Sequence, residues 1–403
     1  MNCPRAVPSL RLNKNSGIHT ERCSTRSCKL AVKASPFPPR EFVNCTRDGQ
    51  RITHLRGLWG LVRVKSQVYQ RRNGTHFQQA LDVSVDSSGW TPLALEQLID
   101  LSARLPFLEA SELALRWGVR VGHAELERLT APIAATLQTS VETKLRAMAL
   151  QPLMPSASRF EPSAKRVVTI EIDGVMVLGQ PELGNCAGIE VKSVVIAPFN
   201  APSQRTMLAG VYQPAQLEAL LSGLLRAAGV RAEDRLIGVS DGAIWIEQLF
   251  QTLGIEQVID VYHALEYAGV VMTALGWSAE EQIAERRLWC NAQVNVVAWL
   301  EIFAPVVRSA NRTVEVMGAL SYLEARAGRM AYKDLKCRGL PIGSGQVEGM
   351  NKSVIGSRLK RSGMHWSRGG ASRMSLLRSQ VRSRVPVLMP MMVRFDAFPT
   401  PHP

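Results

Sequence analysis

The sequence predicts an α/β core that includes a long helical stretch, preceded by a mainly helical N-terminal region. Strand-like and helix-like segments alternate between residues 165 and 265. The stretch from Ser278 to Ala327 has helical character and no strand signal, and helical segments also fill residues 91–148. Strands that are followed by crossover helices are typical of an α/β sheet.

Five apolar segments of the core are predicted as strands. The first, KRVVTIEIDG, ends at Asp173 and Gly174, and the fourth, DRLIGVSDGA, ends at Asp241 and Gly242. GIEVKSVVIAP and RTMLAGVYQ lie between them, and IEQVIDVYHALEYA begins with a short strand that runs into a helix. QLEALLSGLLRAAGV has the spacing of an amphipathic helix that ends at Gly229.

The N-terminal region contains a possible helix-turn-helix. The segment LWGLVRVKSQVY alternates apolar and polar residues and predicts a strand or a hairpin arm. EASELALRWGVRVGHAELERL then predicts one helix that breaks at Gly118 and a second helix from near Gly122. In a helix-turn-helix, Arg120, His123 and Arg128 would contact DNA. A plain helical hairpin has the same pattern and stays an alternative.

We divide the chain into four regions. Residues 1–50 are predicted to be a disordered extension, because they include the Pro-rich stretch KASPFPPREF and lack an apolar period. Residues 51–155 form the N-terminal region with its strand and helix-turn-helix, and residues 160–385 form the α/β domain, which includes helical sequence at about 265–335. Residues 386–403 form a flexible tail. The boundary near residue 160 follows from the linker PLMPSASRFEPSAK.

Charge, apolar runs and cysteine spacing bear on the partner, the cellular compartment and the metal content of the protein. The net charge of +14 favours a polyanionic partner, although a soluble protein can simply be basic. No apolar run reaches the roughly 18 residues of a membrane helix, and we expect no secretory signal. Seven irregularly spaced cysteines argue against a disulfide framework and fit the cytoplasm. We do not expect zinc at Cys23, Cys28, Cys45 and His19, which are too loosely spaced.

Asp173 and Asp241 are candidate ligands of a metal ion. Each is predicted to end an apolar strand, and strand ends point at the crevice where α/β sheets bind ligands. Two carboxylates brought together there repel each other unless a cation lies between them. Mg²⁺ is bound by a few carboxylates together with substrate phosphates. The alternative is that each Asp-Gly pair merely begins a turn.

Glu348 is the candidate third ligand. It lies in PIGSGQVEGMNKSVIGSRLKRSGMHWS, in the first turn of a helix predicted from about Gln346. An acidic residue is favoured there by the helix dipole alone, which is the alternative explanation. Between Gly349 and Arg384 the sequence has nine basic residues and no acidic residue. Phosphate contacts are predicted for Lys352, Arg358, Lys360 and Arg361, and Trp366 would either stack on a base or pack.

Four segments in this order resemble bacterial insertion-sequence transposases of the ISKra type, which are relatives of the Mutator-like superfamily. They are VVTIEIDG, IGVSDGAIWI, VIDVYHALEYA and IGSGQVEGMNKSVIGSRLKRSGMHWS, and the similarity extends from Leu58 to Arg384. The resemblance implies an RNase H-like catalytic core with a helical insertion before the glutamate. It also implies a DDE site at Asp173, Asp241 and Glu348.

The resemblance gives Asp260 and His263 an auxiliary role, because they match a D-x-x-H motif of Mutator-like enzymes. Without the resemblance, a histidine in an apolar helix is more often a packed core residue. The sequence departs from the relatives in VYQRRNGTHF, where they often carry cysteine pairs. Zinc is therefore not expected.

The resemblance implies a DNA transposase that uses two Mg²⁺ or Mn²⁺ ions to cut transposon ends and join them to target DNA. We expect it to act on double-stranded DNA as a homo-oligomer, in the cytoplasm at the bacterial nucleoid. Two alternatives share part of this pattern: an RNase H-like structure-selective nuclease without strand transfer, and a domesticated DNA-binding protein.

Overall fold

The computed structural model describes residues 45–71, 89–154, 166–182, 185–310 and 312–388, together with the short strands Ile18–His19, Ala31–Lys33 and His76–Gln78. The chain divides into two compact units. Unit 1 comprises residues 1–132 and 394–403, and unit 2 comprises residues 133–393. Cys23, Cys28 and the tail beyond residue 388 lie outside the described residues.

Unit 1 contains a five-stranded sheet. Its strands are β1 (Ile18–His19), β2 (Ala31–Lys33), β3 (Cys45–Gly57), β4 (Gly60–Arg71) and β5 (His76–Gln78). β3 and β4 form an antiparallel hairpin, and β4 also pairs with β2 and β5. The predicted hairpin arm is therefore confirmed. However, β3 begins at Cys45, inside the segment that the sequence predicts to be disordered.

Three helices follow the hairpin: α1 (Pro92–Arg104), α2 (Phe107–Arg116) and α3 (His123–Ala149). The Thr91 side chain caps α1 by accepting a hydrogen bond from the N–H of Ala94. Gly118 has a φ of +83°, in the left-handed region that side chains disfavour, and it separates α2 from α3. The predicted break between the two helices is confirmed. The division between the units falls within α3, after Pro132.

Unit 2 contains a second five-stranded sheet. Its strands are β6 (Val167–Glu182), β7 (Asn185–Pro198), β8 (Thr206–Gly210), β9 (Arg235–Ser240) and β10 (Glu256–Ile259). Their order is β10-β9-β6-β7-β8. β6, β9 and β10 run parallel, whereas β7 is antiparallel to both β6 and β8. All five strands predicted for the core are confirmed, and the fold is mixed α/β.

Strand β6 is longer than the sequence predicts. Asp173 and Gly174 do not end it, because the strand continues to Glu182. The predicted strand end is wrong because the neighbouring antiparallel strand β7 supplies backbone partners beyond this point, beginning with Ser193 opposite Asp173. Pairing with the parallel neighbour β9 does stop at Glu171. Asp173 therefore lies just past the end of the parallel part of the sheet.

Ten helices belong wholly to unit 2 within the described ranges. They are α4 (Pro214–Ala227), α5 (Ile244–Thr252), α6 (Val261–Ala274), α7 (Ala279–Cys290), α8 (Val296–Ser309), α9 (Val314–Arg326), α10 (Tyr332–Cys337), α11 (Gly345–Met350), α12 (Ser357–Leu359) and α13 (Arg368–Arg382). A π-helical segment, Asn351–Gly356, joins α11 to α12. The helical stretch predicted between Ser278 and Ala327 is confirmed, whereas the sequence analysis missed α5.

A buried core joins β9 and β10 to helices α6–α10. Ile237 and Val239 of β9 lie in it together with Trp289 and Tyr332, all fully buried. The Tyr332 hydroxyl donates a hydrogen bond of 3.1 Å to the carbonyl oxygen of Ile259, the last residue of β10. The helical region thereby fixes the carboxyl ends of these two strands. In the described part of the chain, no helix has the length and apolar composition that crossing a membrane requires.

Helix packing in unit 2 depends on Gly223 of α4. A β-carbon at this position would lie 1.9 Å from the backbone carbonyl oxygen of Leu145 on α3, so Gly223→Ala must push the helices apart. We expect the variant to lower the free energy of unfolding by about 1–3 kcal/mol, measured by urea denaturation.

Gly318→Ala is the matched control. Gly318 lies inside α9, and a β-carbon there would meet nothing within 4 Å. We expect it to raise the free energy of unfolding by up to about 1 kcal/mol, because alanine favours the helix. If both variants behaved alike, close packing of α4 on α3 would not be the cause.

Candidate active site

Three aspartates follow the parallel pairing of β6, β9 and β10. The register that pairs Glu171 with Val239, continued for two residues, brings Asp173 level with Asp241. The register between β9 and β10, continued for one residue, brings Asp241 level with Asp260. Neighbouring strands lie about 4.8 Å apart. The backbones of the three aspartates therefore form one row at the carboxyl edge of the parallel strands.

Asp173 is held by two hydrogen bonds. Its Oδ1 accepts the N–H of Gly174 at 2.7 Å, and its Oδ2 accepts the side-chain Nδ2 of Asn351 at 2.6 Å. Burial raises the pKa of Asp173, and the negative charge of Asp241 raises it further. This repulsion is of the kind that a bound cation relieves. The sequence analysis missed Asn351 as a partner, because its contact with Asp173 spans 178 residues.

Asp241 begins a turn. Its Oδ1 accepts the N–H of Ala243 at 2.9 Å, and Gly242 has a φ of +79°. The hydroxyl of Tyr322 donates to the backbone carbonyl of Asp241, and Arg326 donates two hydrogen bonds to that of Gly242. Asp241 therefore begins a turn, as the alternative interpretation predicts, and its role as a metal ligand stays a prediction. Its Oδ2 makes no hydrogen bond to the described residues, so it is available to a ligand.

Asp260 connects the end of β10, the start of α6 and the loop before α11. Its Oδ1 accepts the N–H groups of Tyr262 at 2.6 Å and His263 at 3.1 Å. Its Oδ2 accepts both the N–H and the hydroxyl of Ser344 at 2.5 Å. Burial alone would raise the pKa of Asp260, but His263 and these hydrogen bonds outweigh it and lower the pKa to about 2. Asp260 is thus ionised, buried and saturated with donors.

His263 carries a positive charge beside the aspartates. Its Nδ1 lies 3.6 Å from Oδ1 of Asp260, an ion-pair distance too long for a hydrogen bond. Attraction to this carboxylate raises the pKa of His263 to about 9. The imidazole is therefore protonated at neutral pH, and its charge acts on both Asp173 and Asp241. The structure thus brings together four of the predicted site residues.

Glu171 docks helix α11, which carries Glu348, against β6. The Glu171 carboxylate accepts the N–H of Val347 at 2.8 Å and the side-chain amide of Gln346 at 3.2 Å. Glu171 is 2% exposed, and burial raises its pKa to about 7 in spite of these hydrogen bonds. The sequence analysis missed this residue. Its signal is an acidic side chain inside an apolar strand, two residues before Asp173 and on the same face.

Glu348 lies beside the aspartates without contacting them. Its side chain is 61% exposed and accepts a 2.5 Å hydrogen bond from Nζ of Lys352. At 100° per residue, it is about 60° around the helix from Asn351, the residue that contacts Asp173. Among the described residues, no group of three or more His, Cys, Asp or Glu side chains is arranged to hold a metal ion. The structure therefore does not gather the three predicted ligands around one point.

The basic stretch after Glu348 contains exposed and buried members. Lys352, Lys360 and Arg361 are exposed, as phosphate contacts must be. Arg358 is 2% exposed, and its guanidinium lies 5.3 Å from the ring centre of Trp366. The indole of Trp366 donates to a backbone carbonyl, and its own backbone bridges to β6. Burial gives Arg358 a packing role and weighs against its predicted contact with phosphate.

The three residues predicted to contact DNA from the helix-turn-helix are exposed. Arg120 precedes α3, His123 is its first residue and Arg128 lies in its second turn. Arg128 is 3.8 Å from the carboxylate of Glu125. The side chains are thus accessible, and their contact with DNA stays a prediction.

The anchoring role of Asp260 can be tested by Asp260→Asn, which places an amide NH₂ where the carboxylate accepts hydrogen bonds. We expect the free energy of unfolding at pH 7 to fall by about 2 kcal/mol, measured by urea denaturation. Because the folded-state pKa, about 2, lies below the ordinary value of 3.8, this stabilisation is present above pH 4. The difference between the two proteins should shrink as the pH falls from 4 towards 2.

Asp334→Asn is the matched control for this experiment. Asp334 is 60% exposed and makes a surface ion pair with Arg338. We expect it to change the free energy of unfolding by less than about 1 kcal/mol. Equal effects of the two substitutions would contradict the anchoring role of Asp260.

Comparison with known proteins shows only distant likenesses. No protein-family model and no curated protein matches the chain. The Drosophila P element transposase strand transfer complex aligns with 72% of this chain and 78% of its own, at 8% identity and a TM-score of 0.28. The Mos1 strand transfer complex aligns with 61% of this chain and 78% of its own, at 12% identity and a TM-score of 0.17. TM-scores this low do not establish a common fold.

Proposed function

We propose that the chain is a metal-dependent DNA transposase of the DDE type with an RNase H-like core. This proposal rests on the row formed by Asp173 and Asp241 at the edge of adjacent parallel strands. Oδ2 of Asp241 has no hydrogen bond to the described residues, and the charge of Asp241 raises the pKa of Asp173. A cation between the two carboxylates would compensate both. The strand order supports the RNase H-like assignment. The chain first forms three successive antiparallel strands, β6, β7 and β8, and then adds β9 and β10 beside β6 and parallel to it.

The side chains at this edge fit a hard divalent cation. Asp173 and Asp241 offer carboxylate oxygens, the ligands that Mg²⁺ and Mn²⁺ prefer. Glu348 would be the third carboxylate ligand if it released Lys352 and bound the metal ion instead. Breaking an exposed ion pair of this kind costs less than about 1 kcal/mol. Bound ions would lower the pKa of an attacking water and stabilise the charge that develops on the phosphate.

The protein's own residues would position the DNA. Asn351 holds the orientation of Asp173, and the imidazolium of His263 offers a phosphate a positive charge beside the aspartates. Lys352, Lys360 and Arg361 are exposed on the segment that follows Glu348, where they would contact neighbouring phosphates. Catalysis would rest on this positioning and on charge stabilisation.

The proposed reaction has two steps. A water attacks phosphorus at a transposon end, and the bond to the 3′ oxygen breaks to leave a free 3′-hydroxyl. That hydroxyl then attacks a target phosphodiester and displaces the 3′ oxygen of the target strand. No covalent enzyme intermediate is needed. A structure-selective nuclease would perform only the first step, so joining of a pre-cleaved end to target DNA distinguishes the two activities.

The proposal is tested by incubating the protein with Mg²⁺ or Mn²⁺ and DNA that carries the inverted repeats flanking its gene. We expect metal-dependent nicking at the repeat ends, and a fall of at least about a thousandfold in Asp241→Asn, which loses one carboxylate of the pair. Asp334→Asn, with the same change at an exposed acid on α10, should keep full activity. No nicking by the unsubstituted protein would refute the proposal.

Asn351 should affect the metal before any DNA is present. Asn351→Ala removes the hydrogen bond that orients Asp173, and we expect about a tenfold loss of Mn²⁺ affinity, measured by electron paramagnetic resonance without substrate. Asn295→Ala is the control, because Asn295 caps α8 and has no contact with the aspartates. Unchanged Mn²⁺ affinity in Asn351→Ala would show that the hydrogen bond does not serve the site.

A further inference from the structure

The β3–β4 hairpin of unit 1 presents a basic row that the proposed reaction does not use. Antiparallel register places cross-strand pairs on a common face, and alternate pairs share that face. The pairs on this face are Ile52 with Lys65, His54 with Arg63, and Arg56 with Leu61. The opposite face carries Leu55, which is 1% exposed and packs into the unit. The first face is open at His54, Arg63 and Lys65, whereas Arg56 near its end is half-buried.

The open face is positively charged. Residues 45–71, which cover both faces of the hairpin, include six Lys or Arg residues and a single acidic residue, and Arg63 and Lys65 lie on the open face. His54, Arg63 and Lys65 are exposed, and within the described ranges neither Arg63 nor Lys65 makes an ion pair. Two cations held in one row repel each other, and a rigid strand cannot spread them apart. A polyanion with regularly spaced charges would relieve this repulsion and release its own counterions.

Arg56 fixes the row relative to helix α3. Its guanidinium forms an ion pair with Glu125 of α3 and lies 4.1 Å from the ring centre of Trp90. The Trp90 indole also donates to Glu125, at 3.2 Å. Burial would raise the pKa of Glu125, but its bonds with Arg56 and Trp90 outweigh this effect and lower the pKa. The hairpin is thus fastened to the helix through an ionised carboxylate.

This anchor makes the hairpin and α3 neighbours on one basic surface. Arg128 lies 3.8 Å from the same Glu125 and is 67% exposed. Glu125 is already paired with Arg56, so it neutralises little of the charge of Arg128. His123 lies in the same helix, five residues before Arg128. The row on the hairpin therefore continues the surface at which the helix-turn-helix residues are exposed.

We propose that Arg63 and Lys65 bind the sugar–phosphate backbone of duplex DNA beside the site occupied by α3. This inference rests on the proposed function and adds a second DNA-contacting element to unit 1. A strand with alternate cations suits phosphates, because it offers charge along a line and no donors arranged for base edges. The contacts should therefore add affinity without adding sequence preference.

The test measures binding of a fluorescent DNA duplex by anisotropy, without divalent metal, across a series of salt concentrations. The Arg63→Ala/Lys65→Ala variant should bind about tenfold more weakly at 0.1 M salt, by the same factor for duplexes of different sequence. Each phosphate contact contributes about 0.9 to the slope of log affinity against log salt. The slope should therefore fall by about 2.

Arg287→Ala/Lys333→Ala is the charge-matched control. Both residues are exposed on helices of unit 2, and their removal lowers the net charge by the same amount. This control should keep the affinity and the slope. The charge-preserving exchange Arg63→Lys/Lys65→Arg should restore both, and thermal unfolding of all the variants should match that of the unsubstituted protein.

Unchanged affinity and slope in Arg63→Ala/Lys65→Ala would overturn the inference. Equal losses in the control would also overturn it, because they would reflect net charge alone. Loss of binding to vesicles containing phosphatidylserine, with DNA binding retained, would assign the row to membranes instead. These outcomes leave the proposed function standing if the unsubstituted protein cuts DNA. Conversely, failure to cut would refute the proposed function while the salt slope still decides the role of the hairpin.

Discussion

Parallel pairing of β6, β9 and β10 is the constraint on which the candidate site depends. It brings three aspartates that are far apart in the sequence into one row at one edge of the sheet. Side chains from several elements then hold the backbone of this edge in place. Tyr322 and Arg326 hold the backbone after β9, and the Asp260 carboxylate holds the end of β10 to the loop before α11. Little freedom is left to the backbones that carry Asp173 and Asp241.

The charged groups at this edge divide into two sets. Asp260 and His263 form an ion pair, and Asp260 has its hydrogen-bonding capacity filled by donors from two elements. Asp173 is less well compensated, because burial and the negative charge of Asp241 both raise its pKa. An acidic residue that is saturated with donors serves the fold, whereas a pair that remains in repulsion is suited to a cation. This contrast distinguishes the environments of aspartates that look alike in the sequence.

The sequence predicts the parts of the site that depend on local pattern. Alternation and apolar runs locate the five strands, and the Asp-Gly pairs locate Asp173 and Asp241. The strand end predicted for β6 is wrong, because the true end depends on β7, which supplies pairing partners beyond Asp173. Glu171, Asn351 and the burial of Arg358 were missed for a related reason. The partners of Glu171 and Asn351 lie 176 and 178 residues away in the chain. Arg358 lies near Trp366, which itself pairs with β6 through Gly179, so no local pattern encodes its burial.

The hydrogen bonds between Glu171 and helix α11 also have a consequence for synthesis of the chain. The Glu171 carboxylate accepts a hydrogen bond from the N–H of Val347, which lies 176 residues later in the sequence. A nascent chain can pair the strands of the sheet as soon as β10 has left the ribosome. At that time Glu171 lacks Gln346 and Val347, Asp260 lacks Ser344, and Asn351 has not reached Asp173. These contacts form only when roughly the last seventh of the protein emerges, so an unfinished polypeptide would carry its acidic row without them.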